Sequence, residues 1–194
     1  MEKIGTQIMD WGSQWTEGLS YSDFLDRHGD PEQQRRWQAC HDLVVLTTAQ
    51  RDVLAGFQRQ MKVLVLAGTW CGDCVNQCPI FEHFARGTPT IELRFFDRDE
   101  HRDLADEVTT CGGQRVPAVA FVSEDDHLCG RYGDRTLSKY RAMAAQQLGA
   151  ACPTGLVTSE QGLLPSVVQE WLDEFERMQL MLRMSGRLRA LHGD

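Results

Sequence analysis

The stretch Leu64-Val65-Leu66-Ala67-Gly68-Thr69-Trp70-Cys71-Gly72-Asp73-Cys74 admits few structures. It begins as an unbroken apolar run, which suits a strand in the middle of a sheet. A tight turn follows, and then two cysteines with two residues between them. Val75, Ile80, Phe81 and Phe84 then recur as they would on one side of a helix. A strand, a turn and a helix in that order place Cys71 at a helix N-terminus. Unpaired N–H groups and the helix dipole favour an anion there. A thiol at that point is expected to lose its proton more easily and to act as a nucleophile. Cys74 lies one turn further in, near enough to close a disulfide with Cys71. In an intracellular protein with a strand–helix–strand pattern, this spacing points to redox chemistry.

The rest of the composition narrows the setting. A net charge of -8 argues against a nucleic-acid partner, whose backbone needs a basic surface. No apolar run has the length of a membrane span. Met1 to Gln7 show no apolar secretory segment. The cysteines are Cys40, Cys71, Cys74, Cys78, Cys111, Cys129 and Cys152. Their odd number and apolar surroundings fit a reducing compartment, so a cytoplasmic location is expected.

Along the chain, residues 1–20 are expected to lie over the surface of the body. Ser20 with Asp23, and Asp30-Pro31-Glu32, predict two helix starts, the second helix running to about Leu43. Thr47 with Gln50 predicts another, and helix is preferred over strand for Leu43 to Leu46. Lys62 to Ala67 and Ile91 to Phe96 are predicted as adjacent strands joined by a helix that contains Pro79. Asp99 is expected to cap a helix through Leu104 and Val108. Ala118 to Val122 and Leu128 to Tyr132 predict a hairpin, and Thr136 opens a helix closed by Gly149. Residues 150–162 suggest a linker. The last segment carries Leu164, Val168, Trp171, Phe175, Met178 and Leu182 at helical spacing. Packing on its own body is its expected role, with docking of a partner or a second copy as the alternative.

Trp70-Cys71-Gly72-Asp73-Cys74, Pro79 and the distant Val116-Pro117 together resemble the thioredoxin family. More narrowly, Arg98-Asp99, Gly112-Gly113 ahead of Val116-Pro117, and Gly133-Asp134-Arg135 look like its bacterial Trp-Cys-Gly-Asp subgroup. The resemblance implies an α/β thioredoxin-like fold: a central mixed β-sheet flanked by helices, with helical N-terminal and C-terminal extensions. The expected organisation is a helical extension over 1–60, a thioredoxin-like domain over 61–150, and a linker with an amphipathic helix over 151–194.

It further implies a thiol–disulfide oxidoreductase with no bound cofactor beyond the redox-active disulfide Cys71–Cys74. Cys71 would attack and Cys74 resolve. Trp70, Gly72, Asp73, Val116 and Pro117 would support them, Val116-Pro117 as a cis-proline loop. Substrates would be disulfide-containing proteins or small thiols, with electrons from a separate thioredoxin reductase or small thiol. Three departures stand out. Asp73 replaces a proline, Val65 replaces a buried acid, and Val75 replaces a basic residue. The Asp73 carboxylate is expected to make Cys71 less acidic than proline would. Two rival readings remain. One is a thioredoxin-fold adaptor with little turnover; the other is a metal or iron–sulfur protein using Cys71, Cys74 and Cys78. Cys78 and Cys111 are expected as core filler, and Cys40, Cys129 and Cys152 as structural.

Overall fold

The computed structural model describes residues 9–148 and 162–194. Four helices come first: α1 (Trp11–Thr16), α2 (Tyr21–His28), α3 (Pro31–Leu43) and α4 (Thr48–Ala55). Then follow β1 (Met61–Ala67), α5 (Gly72–Gly87), β2 (Ile91–Asp97), α6 (Arg102–Glu107), β3 (Ala118–Ser123), β4 (Leu128–Gly133) and α7 (Leu137–Leu148). The chain ends with α8 (Leu163–Met184) and α9 (Gly186–His192).

The strands form one mixed sheet in the order β2-β1-β3-β4. The parallel neighbours β1 and β2 need a crossover, and α5 supplies it. β3 runs antiparallel to β1 and turns directly into β4. From Val63 onward β1 is fully buried, as its unbroken apolar sequence requires. This is the mixed sheet flanked by helices that the sequence implies, with helical additions at both ends.

Capping chemistry fixes the first helices. The Ser20 hydroxyl accepts from the Asp23 N–H, and Asp30 with Gln33 and Thr47 with Gln50 form reciprocal boxes. Several expectations need correction. Residues 9–20, the described part of 1–20, do not merely cover the surface, because Trp11 is buried in the core and Leu19 pairs with Phe95 at the edge of β2. Val44 to Leu46 are not helical. They run between α3 and α4 with Val44 and Leu46 pointing into the core, so apolar character there reflects burial rather than a continued helix. Asp99 is not a cap: His101 precedes α6, and the Asp97 carboxylate takes the Asp99 and Glu100 N–H groups and turns the chain at the end of β2. The expected Gly149 stop and most of the expected linker, with Cys152, lie outside the described residues.

Two aromatic clusters join the additions to the sheet. Phe24, Trp37 and Tyr21 pack on Phe95. On α8, Trp171 and Phe175 meet Phe81, Phe84 and Phe121 at close, mostly edge-on angles. Among the described residues, no helix is long and apolar enough to cross a membrane.

Trp37 does more than fill space. It is fully buried, and its indole N–H donates to the Thr69 carbonyl at 3.0 Å, just ahead of the cysteine turn. Trp37→Phe keeps most of the apolar volume but leaves that carbonyl unpaired. It is expected to lower the unfolding free energy by about 1–3 kcal/mol, measured by denaturant titration. A loss below about 0.5 kcal/mol would show that the bond contributes nothing net.

Candidate active site

Gly68, Thr69 and Trp70 carry the chain from β1 into α5. The Cys71 N–H donates to the Gly68 carbonyl at 3.0 Å, and the Cys71 carbonyl accepts from the Val75 N–H at 3.0 Å. Cys71 is thereby the residue that opens α5, and its own side chain caps nothing. The thiol is half-buried and lies 3.5 Å from the Val116 carbonyl oxygen. The Val116–Pro117 peptide bond is cis, and both residues are buried. Gly72 is exposed, with open space where a side chain would project. Trp70 is 45% exposed, and its ring lies back over Gly68, where a Cβ would come within 2.6 Å of it. The Arg98 guanidinium stacks 4.5 Å from the Trp70 ring centre and bonds Asp99 at 2.9 Å.

The turn is held from outside. Besides the bond from Trp37, the Thr69 hydroxyl lies 2.9 Å from the His28 carbonyl and 2.8 Å from Gln33 Oε1. These contacts come from the end of α2 and the start of α3.

The two thiols differ in access. Cys74 is fully buried, while Cys71 reaches the surface. Cys71 is pushed well above the ordinary thiol range, first by its hydrogen bond with Cys74 and then by burial. The Cys74 and Asp73 N–H groups act in the other direction and are outweighed. The expected easy loss of the proton is therefore not what the dithiol shows. The helix terminus is in place, but a neighbouring thiol and partial desolvation prevail over it. Cys74 is also raised, chiefly by burial, with Cys78 close behind it. Val65 is fully buried among apolar neighbours, and no acid stands in its place.

Asp73 and its surroundings depart furthest from expectation. Its carboxylate is turned to Arg135, with Nε at 2.8 Å and Nη2 at 2.6 Å. Arg135 also reaches Asp134 at 3.2 Å. The Asp134 side chain is 3% exposed and accepts from Arg115 at 3.3 Å and from the Tyr140 hydroxyl. Burial works to raise the Asp134 carboxyl, but hydrogen bonds from Tyr140, the backbone and Arg115 and the charge of Arg135 hold it below the usual range. Gln77 of α5 donates to the Asp134 carbonyl at 3.0 Å, and its own oxygen accepts from the buried Trp171 indole at 2.8 Å. Asp73, the turn after β4, the loop leading to Val116-Pro117 and α8 are thus tied together. Gly133 fits this crowding: its φ is +140°, and a Cβ would lie 2.4 Å from the Pro117 carbonyl oxygen.

Of the other cysteines, Cys78 is fully buried, while Cys111 is exposed in the loop before Val116 and is not core filler. Cys40 is partly exposed and contacts Asn76 at 3.5 Å; Cys129 is partly exposed. Among the described residues, no three Cys, His, Asp or Glu side chains are grouped as ligands of a metal ion, so nothing in the geometry favours the metal reading. Gly133-Asp134-Arg135 was legible as a motif of the resemblance. Trp37, Gln77, Tyr140 and Trp171 were not, since partners 32 and 94 residues apart leave no local signal.

Asp134→Asn is expected to cost about 1–3 kcal/mol at neutral pH, towards the lower end because both guanidiniums reach solvent. The folded carboxyl is depressed below its unfolded value. Its stabilisation is therefore present above the ordinary carboxylate range and is lost as pH falls through the folded value. Denaturant titrations across pH should show wild type and variant converging in acid. A constant gap would assign the loss to packing.

A family model described as thioredoxin matches residues 18–147. No curated protein matches the chain. A crystal structure of a Pseudomonas aeruginosa protein of unknown function is 19% identical, covers 87% of this chain and 99% of its own, and superposes with a TM-score of 0.65. An HIV epitope scaffold is 18% identical over 86% of this chain and 99% of its own, with a TM-score of 0.62. At these identities the likeness is one of fold. Oxidised mitochondrial thioredoxin 3 of Saccharomyces cerevisiae is 25% identical over 48% of this chain and 86% of its own, with a TM-score of 0.33.

Proposed function

Because this chain belongs to the thioredoxin family, we propose that it is a thiol–disulfide oxidoreductase in which Cys71 attacks and Cys74 resolves. The observation that carries this reading is the asymmetry of the pair. Cys71 opens α5, is half-buried and faces the Val116 carbonyl, while Cys74 behind it is fully buried. Of the two, Cys71 is the one a substrate sulfur can reach, and Cys74 lies behind it to resolve the adduct.

The Cys71 thiolate attacks one sulfur of a substrate disulfide. A Cys71–substrate bond forms, the substrate S–S bond breaks, and the leaving sulfur takes up a proton. Cys74 then gives up its proton and attacks the Cys71 sulfur. The second substrate sulfur leaves as a thiol, and the Cys71–Cys74 disulfide remains. Two electrons and two protons pass to the substrate. Trp70 offers an apolar surface beside Cys71, and the Val116 backbone offers polar groups to an extended segment. Since both thiols are held up in the dithiol state, attack uses a minority thiolate and its rate rises with pH through the neutral range. The substrate would be a disulfide-containing protein or a small disulfide. A separate reductase or small thiol would return the electrons, in a reducing compartment such as the cytoplasm.

Insulin reduction with dithiothreitol as donor tests the assignment. Wild type should accelerate it, Cys71→Ser should abolish the acceleration, and Cys74→Ser should accumulate a covalent adduct that dithiothreitol releases. Folded protein without turnover would leave a binding module in place of the enzyme.

A further inference from the structure

We propose that Arg135 is a positioning residue for the redox pair: it holds the Asp73 carboxylate away from Cys71 and neutralises a charge that would otherwise oppose the Cys71 thiolate. The proposal rests on the reading of Cys71 as the nucleophile. Asp73 stands two residues after Cys71, inside the Cys-x-x-Cys turn, and an unpaired carboxylate there would repel a thiolate. The geometry divides Asp73 in two. Its N–H is turned towards Cys71, where it favours the anion. Its carboxylate is held in the fork of Arg135 at 2.6 and 2.8 Å.

Arg135 is itself fixed. A second arm bonds Asp134, whose carboxylate is clamped by Arg115 and Tyr140 and whose carbonyl is held by Gln77. The pair is also shielded from water, with the Asp73 side chain 16% exposed and that of Arg135 23%. A planar, bidentate fork in a partly desolvated place is a task for arginine rather than a mobile cation. The other groups near Asp73 are Lys139 and Cys40, which line a cavity of about 290 Å³ with it. Neither makes a hydrogen bond to the carboxylate among those of the described residues. Near Cys71 stand Cys74 and, beyond Trp70, Arg98, whose charge is matched by Asp99.

The arrangement sets a rate rather than an equilibrium. The Cys71–Cys74 hydrogen bond and burial hold Cys71 up, and burial holds Cys74 up, so a charge that moves Cys71 further up lowers the thiolate fraction. It leaves the balance of dithiol and disulfide almost untouched. Loss of Arg135 should therefore slow attack without moving the potential measured at pH 7.

The test is the rate of Cys71 alkylation by iodoacetamide in the reduced protein, followed by mass mapping from pH 6 to 10. This reads the thiolate directly and does not depend on turnover, so failure of the oxidoreductase reading shows separately in the insulin assay. Arg135→Gln should slow alkylation about three- to tenfold at pH 8. Arg135→Lys should recover part of that loss, and Asp73→Asn combined with Arg135→Gln should return the rate to within about twofold of wild type. An Arg135→Gln profile that overlays wild type, or a slowed profile that Asp73→Asn does not rescue, would overturn the proposal. Should Arg135→Gln fail to fold, Asp73→Asn alone decides. It removes the negative charge and leaves that of Arg135 unmatched, so alkylation should quicken several-fold, and a change smaller than twofold would overturn the proposal.

Discussion

Two buried indole N–H groups hold the redox unit in place, one from each terminal addition. Trp37 of α3 donates to the Thr69 carbonyl in the turn that leads to Cys71, and Trp171 of α8 donates to Gln77 on the helix that follows it. Both rings are fully buried, so each bond replaces water that cannot reach the site. The need is physical. A turn leaving the end of a buried strand carries peptide groups that neither strand nor helix satisfies, and here the partners come from outside the sheet. The helical additions are part of the frame of the site.

From Gln77 the same logic continues to Asp134, Arg135 and Asp73. A nearly buried carboxylate survives because arginines, a tyrosine and the backbone serve its oxygens. The cluster joins the start of α5 to the segment of Val116-Pro117, which are the two pieces of chain that face each other across the Cys71 sulfur. A disturbance at either end is expected to be felt at the other through this shared set of bonds.

The fold was largely legible because its signals are local. An apolar run made β1, capping residues opened α2, α3 and α4, and the order of strands and helices followed from periodicity. Cys71, Cys74, Val116 and Pro117 were legible as a motif. The errors have physical causes. Trp11 sits among polar residues yet is buried, because a single aromatic can fill a gap that no pattern announces. Val44 and Leu46 are apolar for burial in an extended segment. Helix-terminus reasoning for Cys71 omitted its neighbouring thiol and its desolvation, both of which depend on three-dimensional packing. Asp73 was judged without Arg135, 62 residues away.

On the proposed function, Cys71 and Cys74 form one reversible two-electron pair, set apart from the five other cysteines of the chain. Disulfide mapping by mass spectrometry, on protein oxidised by hydrogen peroxide and then treated with dithiothreitol, tests it most directly. An intramolecular Cys71–Cys74 disulfide should form first and be opened by dithiothreitol. A dominant Cys74–Cys78 linkage, or a Cys71 that pairs only with another molecule, would contradict it.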